Sequence, residues 1–195
     1  MNEPHENGFL IVGLGNPGRE YKGNRHNVGF MVLDTLASHF DVSFTRIESK
    51  ALMTKTNYKG KKILLAKPQT YMNLSGQSVV PLANFYKIPL ERTLVAYDEV
   101  DLPFGSLRLR PEGGSAGHKG LQSIIDQLGT NQFPRLRIGV GRPPGRKGAA
   151  NYVLRDFSAQ EKEILDGILK HASEAVLKFI ENDLETAMNK YNGEI

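Results

Sequence analysis

Phe9-Leu10-Ile11-Val12-Gly13-Leu14-Gly15-Asn16-Pro17-Gly18 is the stretch from which the fold is read. Four apolar residues running into glycines give a buried strand that ends in a tight loop. Asn27 then precedes Val28, Met31, Val32, Leu36 and Phe40, a mostly helical spacing, so the chain opens strand, loop, helix. Further out, residues 51–58 and 62–66 flank Lys59-Gly60-Lys61 as a hairpin, and 78–86 reads as a helix with Pro81 near its first turn. Residues 93–97 form another apolar strand. Residues 106–110 and 135–140 alternate arginine or serine with aliphatics, which puts the arginines of each strand on one face. Between them, 118–128 reads as a helix closed by Gly129. Ser158 and Glu161 form a capping box ahead of Ile164, Leu165, Ile168, Leu169, Ala172, Val176, Phe179 and Ile180, an amphipathic C-terminal helix.

Hairpins mixed with crossovers imply one α/β domain over residues 1–195. Its expected form is a twisted mixed β-sheet flanked by helices, with amphipathic helices at the C-terminus. The length agrees, since 195 residues suit one domain with a sizeable core. The proline- and glycine-rich segment 143–150 is expected to be a mobile flap.

Composition narrows the chemistry. The chain has no Cys, which excludes a disulfide framework, a zinc finger, an iron-sulfur cluster and a thiol nucleophile. No run of 18 apolar residues is present, and Met1–Asn7 lacks a basic region followed by an apolar one, so a cytoplasmic protein with no membrane partner is expected. The net charge of +4 is uneven. Residues 101–150 carry 8 Lys/Arg against 3 Asp/Glu, and 151–195 carry 5 against 9. A basic middle points to an anionic partner or to a solvated cationic face.

Several motifs offer chemistry. Gly13 to Gly18 fits a dinucleotide fingerprint, but Pro17 removes a donor and the helix begins only near Asn27, so the glycines read as a turn. Gly113-Gly114-Ser115-Ala116-Gly117 lacks the sharp strand-to-helix elbow of a serine nucleophile. Asp98-Glu99-Val100-Asp101 follows a strand as a candidate Mg²⁺ site, a solvated acidic turn, or the partner of a base. If the strands ending near Asn16 and Asp98 are neighbours, His26 shares their sheet edge and a general base oriented by Asp98 becomes possible. Asn73, beside Tyr71 and Met72, reads as a helix cap or as an amide for a peptide group with an adaptable apolar wall.

At these residues the chain resembles the bacterial-type peptidyl-tRNA hydrolases. The residues that carry the likeness are 12–18, Tyr21, 25–29, 67–76, 98–103, Gly117-His118, 135–139 and 187–190, in order over nearly the whole chain. The resemblance implies a cofactor-free, metal-independent monomer that cleaves the ester between a peptide and the 3′ ribose of tRNA. It implies His26 as general base, Asp98 as its carboxylate, and Asn16 as the amide that separates N-blocked from free aminoacyl esters. It further implies Tyr21, Tyr71, Met72 and Asn73 as substrate contacts and Arg108, Arg110 and Arg137 as contacts to tRNA phosphate. Lys119 stands where the family normally has a substrate-binding Asn. An alternative class keeps the fold and binds RNA without hydrolysis, as splicing-factor relatives do.

Overall fold

Strand β1 (Gly8–Gly13) is buried along its whole length, as an unbroken apolar run must be when both faces of its sheet are covered. The structure, a computed structural model, describes residues 7–143 and 148–194. Helix α1 (Val28–His39) returns the chain to the antiparallel strands β2 (Arg46–Glu48), β3 (Ala51–Tyr58) and β4 (Lys61–Pro68). Helix α2 (Gly76–Phe85) leads to β5 (Thr93–Glu99), then β6 (Leu107–Arg110), α3 (Lys119–Leu128) and β7 (Arg135–Gly139). Helices α4 (Ala149–Val153), α5 (Ala159–Glu181) and α6 (Leu184–Tyr191) complete the described chain.

All seven strands join one sheet in the order β2-β3-β4-β1-β5-β7-β6. The centre, β4-β1-β5-β7, is parallel, and antiparallel pairs flank it on both sides. This is the expected mixed α/β architecture. Side chains alternate across it: Phe9, Ile11, Leu94 and Ala96 pack under α1 and α5, while Leu10, Val12, Val95 and Tyr97 pack under α2 and α3. Because β1, β4 and β5 are parallel neighbours, their C-terminal ends open on one edge, where such sheets bind ligands.

The glycine that ends β1 and the one in the first turn of α1 serve packing rather than phosphate binding. A Cβ on Gly13 would lie 2.2 Å from Gly29 O, and one on Gly29 would lie 2.4 Å from Ala96 O, so α1 sits closer to the sheet than any side chain permits. Helix α2 starts earlier than its pattern predicts, which moves Pro81 out of the first turn. Gly76 N donates to Ser123 Oγ (3.0 Å), and a Cβ there would meet Ser123 O at 2.3 Å, so contact with α3 sets that start. The capping box at Ser158 is present, a device that contributes ~1 kcal/mol. Of the expected flap, Ala149 and Ala150 instead begin helix α4, while 144–147 lie outside the described residues.

Candidate active site

Asp98, at the end of β5, is 3% exposed and holds two histidines. His26 Nδ1 lies 2.8 and 2.9 Å from its two oxygens, and His118 Nε2 lies 2.9 Å from Oδ1. Burial by itself pushes the Asp98 carboxyl up, but in the acid range where it titrates the protonated His118 and His26, through their charges and their hydrogen bonds, outweigh burial and hold the group well below the usual carboxylate range. Asp98 is therefore an anion that accepts from both rings. His26 donates its Nδ1 proton, which leaves Nε2 with a lone pair and no protein partner among the described residues.

His118 has a different state. It is the N-cap of α3, where its Nδ1 accepts the Leu121 N–H at 3.2 Å, so its single proton sits on Nε2 and points at Asp98. The three groups are close enough to surround a metal ion. The donor chemistry does not fit one: a metal on His118 Nε2, with Nδ1 still accepting from Leu121, would require an imidazolate. The Tyr97 ring packs on His118 with centroids 4.8 Å apart, and burial raises its phenol to about 12.

Asn16 is fixed from three directions. Its Oδ1 accepts the Met72 N–H (2.8 Å), while Asn27 donates Nδ2 to the Asn16 carbonyl and accepts the Asn16 N–H, both at 2.9 Å. With Oδ1 assigned by a backbone donor, Asn16 turns its Nδ2 donors to the remaining space. Asn27 is thus a bracket between two loops, and its side chain makes no cap for α1.

A cleft of about 550 Å³ opens here, lined by Asn16, His26, Tyr71, Met72, Asn73, His118 and Lys119 among others. That volume suits an ordinary small-molecule site. Asn73 lies inside a 3₁₀ turn, Met72–Leu74, and is exposed, so it caps no helix. Tyr71 is 64% exposed at the mouth. Tyr21 belongs to the 3₁₀ turn Arg19–Tyr21 and is outside the lining.

The acidic run is no ion site either. Glu99 pairs with Arg137 (2.8 Å), and Asp101 pairs with Arg142. Register places Arg108 opposite Arg137 and Arg110 opposite Arg135, all on one sheet face as expected. Two of the four are occupied. Arg137 is held by Glu99, and buried Arg135 donates to the carbonyls of Gly113, Asn131 and Phe133. Arg108, Arg110 and Arg137 all lie outside the cleft lining. Ser115, in the loop before α3, donates to Gln122 (2.6 Å), and no base among the described residues accepts from it.

His118 is the residue that sequence reasoning did not assign. Its signal was present: a histidine directly before a helix is a cap candidate, and its partner lies 20 residues away on another strand end.

Comparison with known proteins gives one answer. The peptidyl-tRNA hydrolase family model matches residues 10–195. A peptidyl-tRNA hydrolase of Thermoanaerobacter is 49% identical over 185 residues, 95% of this chain and 100% of that one. A chloroplastic peptidyl-tRNA hydrolase of Arabidopsis thaliana is 56% identical over 86% of this chain and 59% of its own length. The crystal structure of the peptidyl-tRNA hydrolase from Acinetobacter baumannii superimposes with a TM-score of 0.88 at 39% identity, covering 95% of this chain and 96% of that one. With the fold, the ordered motifs and these matches in agreement, the chain belongs to the peptidyl-tRNA hydrolase family.

Proposed function

We propose that the chain hydrolyses the ester joining a peptide to the 3′ ribose of tRNA, with His26 as general base. The observation that carries this is the His26–Asp98 pair, whose Nδ1 contact leaves Nε2 free at the cleft. Nε2 takes a proton from water as the water oxygen attacks the ester carbonyl. The tetrahedral oxyanion collapses, the ribose oxygen leaves, and the imidazolium returns the proton to it. Asp98 stabilises the imidazolium in between. No covalent enzyme intermediate, cofactor or metal takes part.

Asn16 supplies selectivity in this reading. Its Nδ2 donors match the amide carbonyl of an N-blocked residue; a free aminoacyl ester offers an ammonium there, and donor would face donor. Met72 and Tyr71 give the acyl group an apolar wall, and Asn73 adds an exposed amide. Action as a monomer follows the family resemblance, and the chain's location follows that of its substrate, the cytoplasm being the expected one. No helix among the described residues is long and apolar enough to cross a membrane. Nothing found supports the non-hydrolytic splicing-type alternative.

Incubation with N-acetyl-aminoacyl-tRNA and with free aminoacyl-tRNA, EDTA present, tests reaction and selectivity together. Release of tRNA from the first alone is expected. Equal cleavage of both would remove Asn16 from its role, and arrest by EDTA would bring back a metal.

Tyr21 and Arg137 are assigned to tRNA contact on the resemblance alone, and Arg137 has only the part of its guanidinium that Glu99 leaves free. Arg108 and Arg110 are the more available cations on that face. Lys119, exposed at the first turn of α3 on the cleft lining, has no anionic partner among the described residues, which supports assigning it to the tRNA backbone. Replacing Arg108, Arg110 or Lys119 singly by a neutral residue should reduce the slope of log K against log[salt] by roughly 0.7 to 0.9 and raise KM. Binding titrations in a salt series check this; slopes equal to wild type in all three would place the tRNA on another face.

A further inference from the structure

The segment carrying the base is tied to a part of the chain some 130 residues away. Arg25, next to His26, is 6% exposed. Its Nη1 donates to the carbonyls of Arg155 (3.2 Å) and Asp156 (2.8 Å), and its Nη2 donates to Glu161 Oε2 (2.5 Å). The guanidinium lies 4.2 Å over the Tyr152 ring. Backbone bonds run beside it: Arg25 N to Arg155 O (3.1 Å) and Phe157 N to Gly23 O (3.3 Å). Asn24 Nδ2 adds a bond to Asp156 (2.7 Å).

That distant segment continues directly into the cleft. Ala149, Ala150, Val153 and the half-exposed Leu154 form its outer wall, and Arg155 follows at once. We propose that Arg25 is a positioning residue that latches this wall to His26, so that an acyl group seated against Val153 and Leu154 fixes the base for attack. The proposal rests on His26 being the base. Asp98 holds the imidazole at Nδ1, and the His118 ring packs on one side of it with centroids 5.0 Å apart. A further support acts through the backbone of the turn Arg25–Asn27, and Arg25 is the residue of that turn whose side chain reaches the wall segment.

The chemistry calls for arginine. A planar fork reaches two carbonyls and a carboxylate while stacking on a ring, whereas a lysine ammonium is a single point that cannot serve all four. Glu161 joins the latch to the start of α5, since the same Oε2 also accepts the Ser158 N–H (2.6 Å). Glu161→Gln keeps the capping box and weakens only the charged arm, so it gives a variant whose fold is secure.

The test is kinetic, on N-acetyl-aminoacyl-tRNA. Arg25→Lys should lower kcat ~10- to 100-fold, the scale of a base displaced by about 1 Å, with KM within about twofold. Glu161→Gln should show a smaller loss of the same kind. Leu154→Ala should lower kcat in the wild-type background and have little further effect on kcat with Arg25→Lys, a coupling of about 2- to 10-fold in a double-mutant cycle. An Arg25→Lys variant with full kcat and raised KM would overturn the latch, leaving Arg25 a support of the wall alone. Losses that simply multiply would overturn it as well. If Arg25→Lys melts early, the Glu161→Gln and Leu154→Ala pair decides by the same criterion. His26→Ala is measured separately: turnover there would refute the base itself, whatever Arg25 does.

Discussion

His26→Ala is expected to lose ~10²- to 10⁴-fold in kcat while keeping its affinity for tRNA. The separation follows from where the residue sits. Nε2 faces the cleft, whereas the cations proposed above for the phosphates are Arg108, Arg110 and Lys119, so on that reading removing the imidazole removes chemistry and leaves electrostatic attraction in place. Single-turnover hydrolysis beside a filter-binding titration gives both numbers. Turnover close to wild type would take the role from His26. A large fall in affinity with kcat preserved would make it a binding residue.

The second large effect belongs to Asp98→Asn. The carboxylate accepts from two histidines at once, and an amide offers one acceptor oxygen and one NH₂. One of the two N–H groups must then face a donor. Since the Leu121 N–H pins His118 in its Nε2–H form, His26 is the ring free to change tautomer, and the proton would move to its Nε2, where it blocks base action. A loss of ~10²- to 10⁴-fold in kcat is expected, close to that of His26→Ala, and the double variant should be little worse than either single one. Multiplying losses would mean that the two act separately.

The same carboxylate bears on stability. Its folded-state affinity for a proton is depressed, so its contribution is complete above the unfolded carboxylate range near pH ~4 and is lost as pH falls through the lower folded value. Acid melts of wild type should therefore steepen below about pH 4, and those of Asp98→Asn should be flatter there.

The strand of residues 8–13, the helix after Asn27, the hairpin, the helix closed by Gly129 and the capped C-terminal helix were all legible, because each is set by local periodicity, a cap or a turn residue. The basic stripe was legible too, since alternation alone fixes the face. Sequence could name His26, Asp98 and Asn73 as candidates, and the resemblance added Asn16 and gave all four their roles. What it could not fix was any relation made across the sheet edge. Only the parallel pairing of β1 with β4 and β5 brings Asn16 to the Met72 N–H and His26 to Asp98. The early start of α2 depends on Gly76 lying so close to α3 that a Cβ would meet Ser123 O at 2.3 Å, a contact that no window of sequence contains. His118 on Asp98, Arg137 on Glu99 and Arg25 on the 155–161 segment are pairings over 20, 38 and about 130 residues. Chain connectivity leaves such partners open, and the folded geometry selects them because a buried charge must find its counterpart.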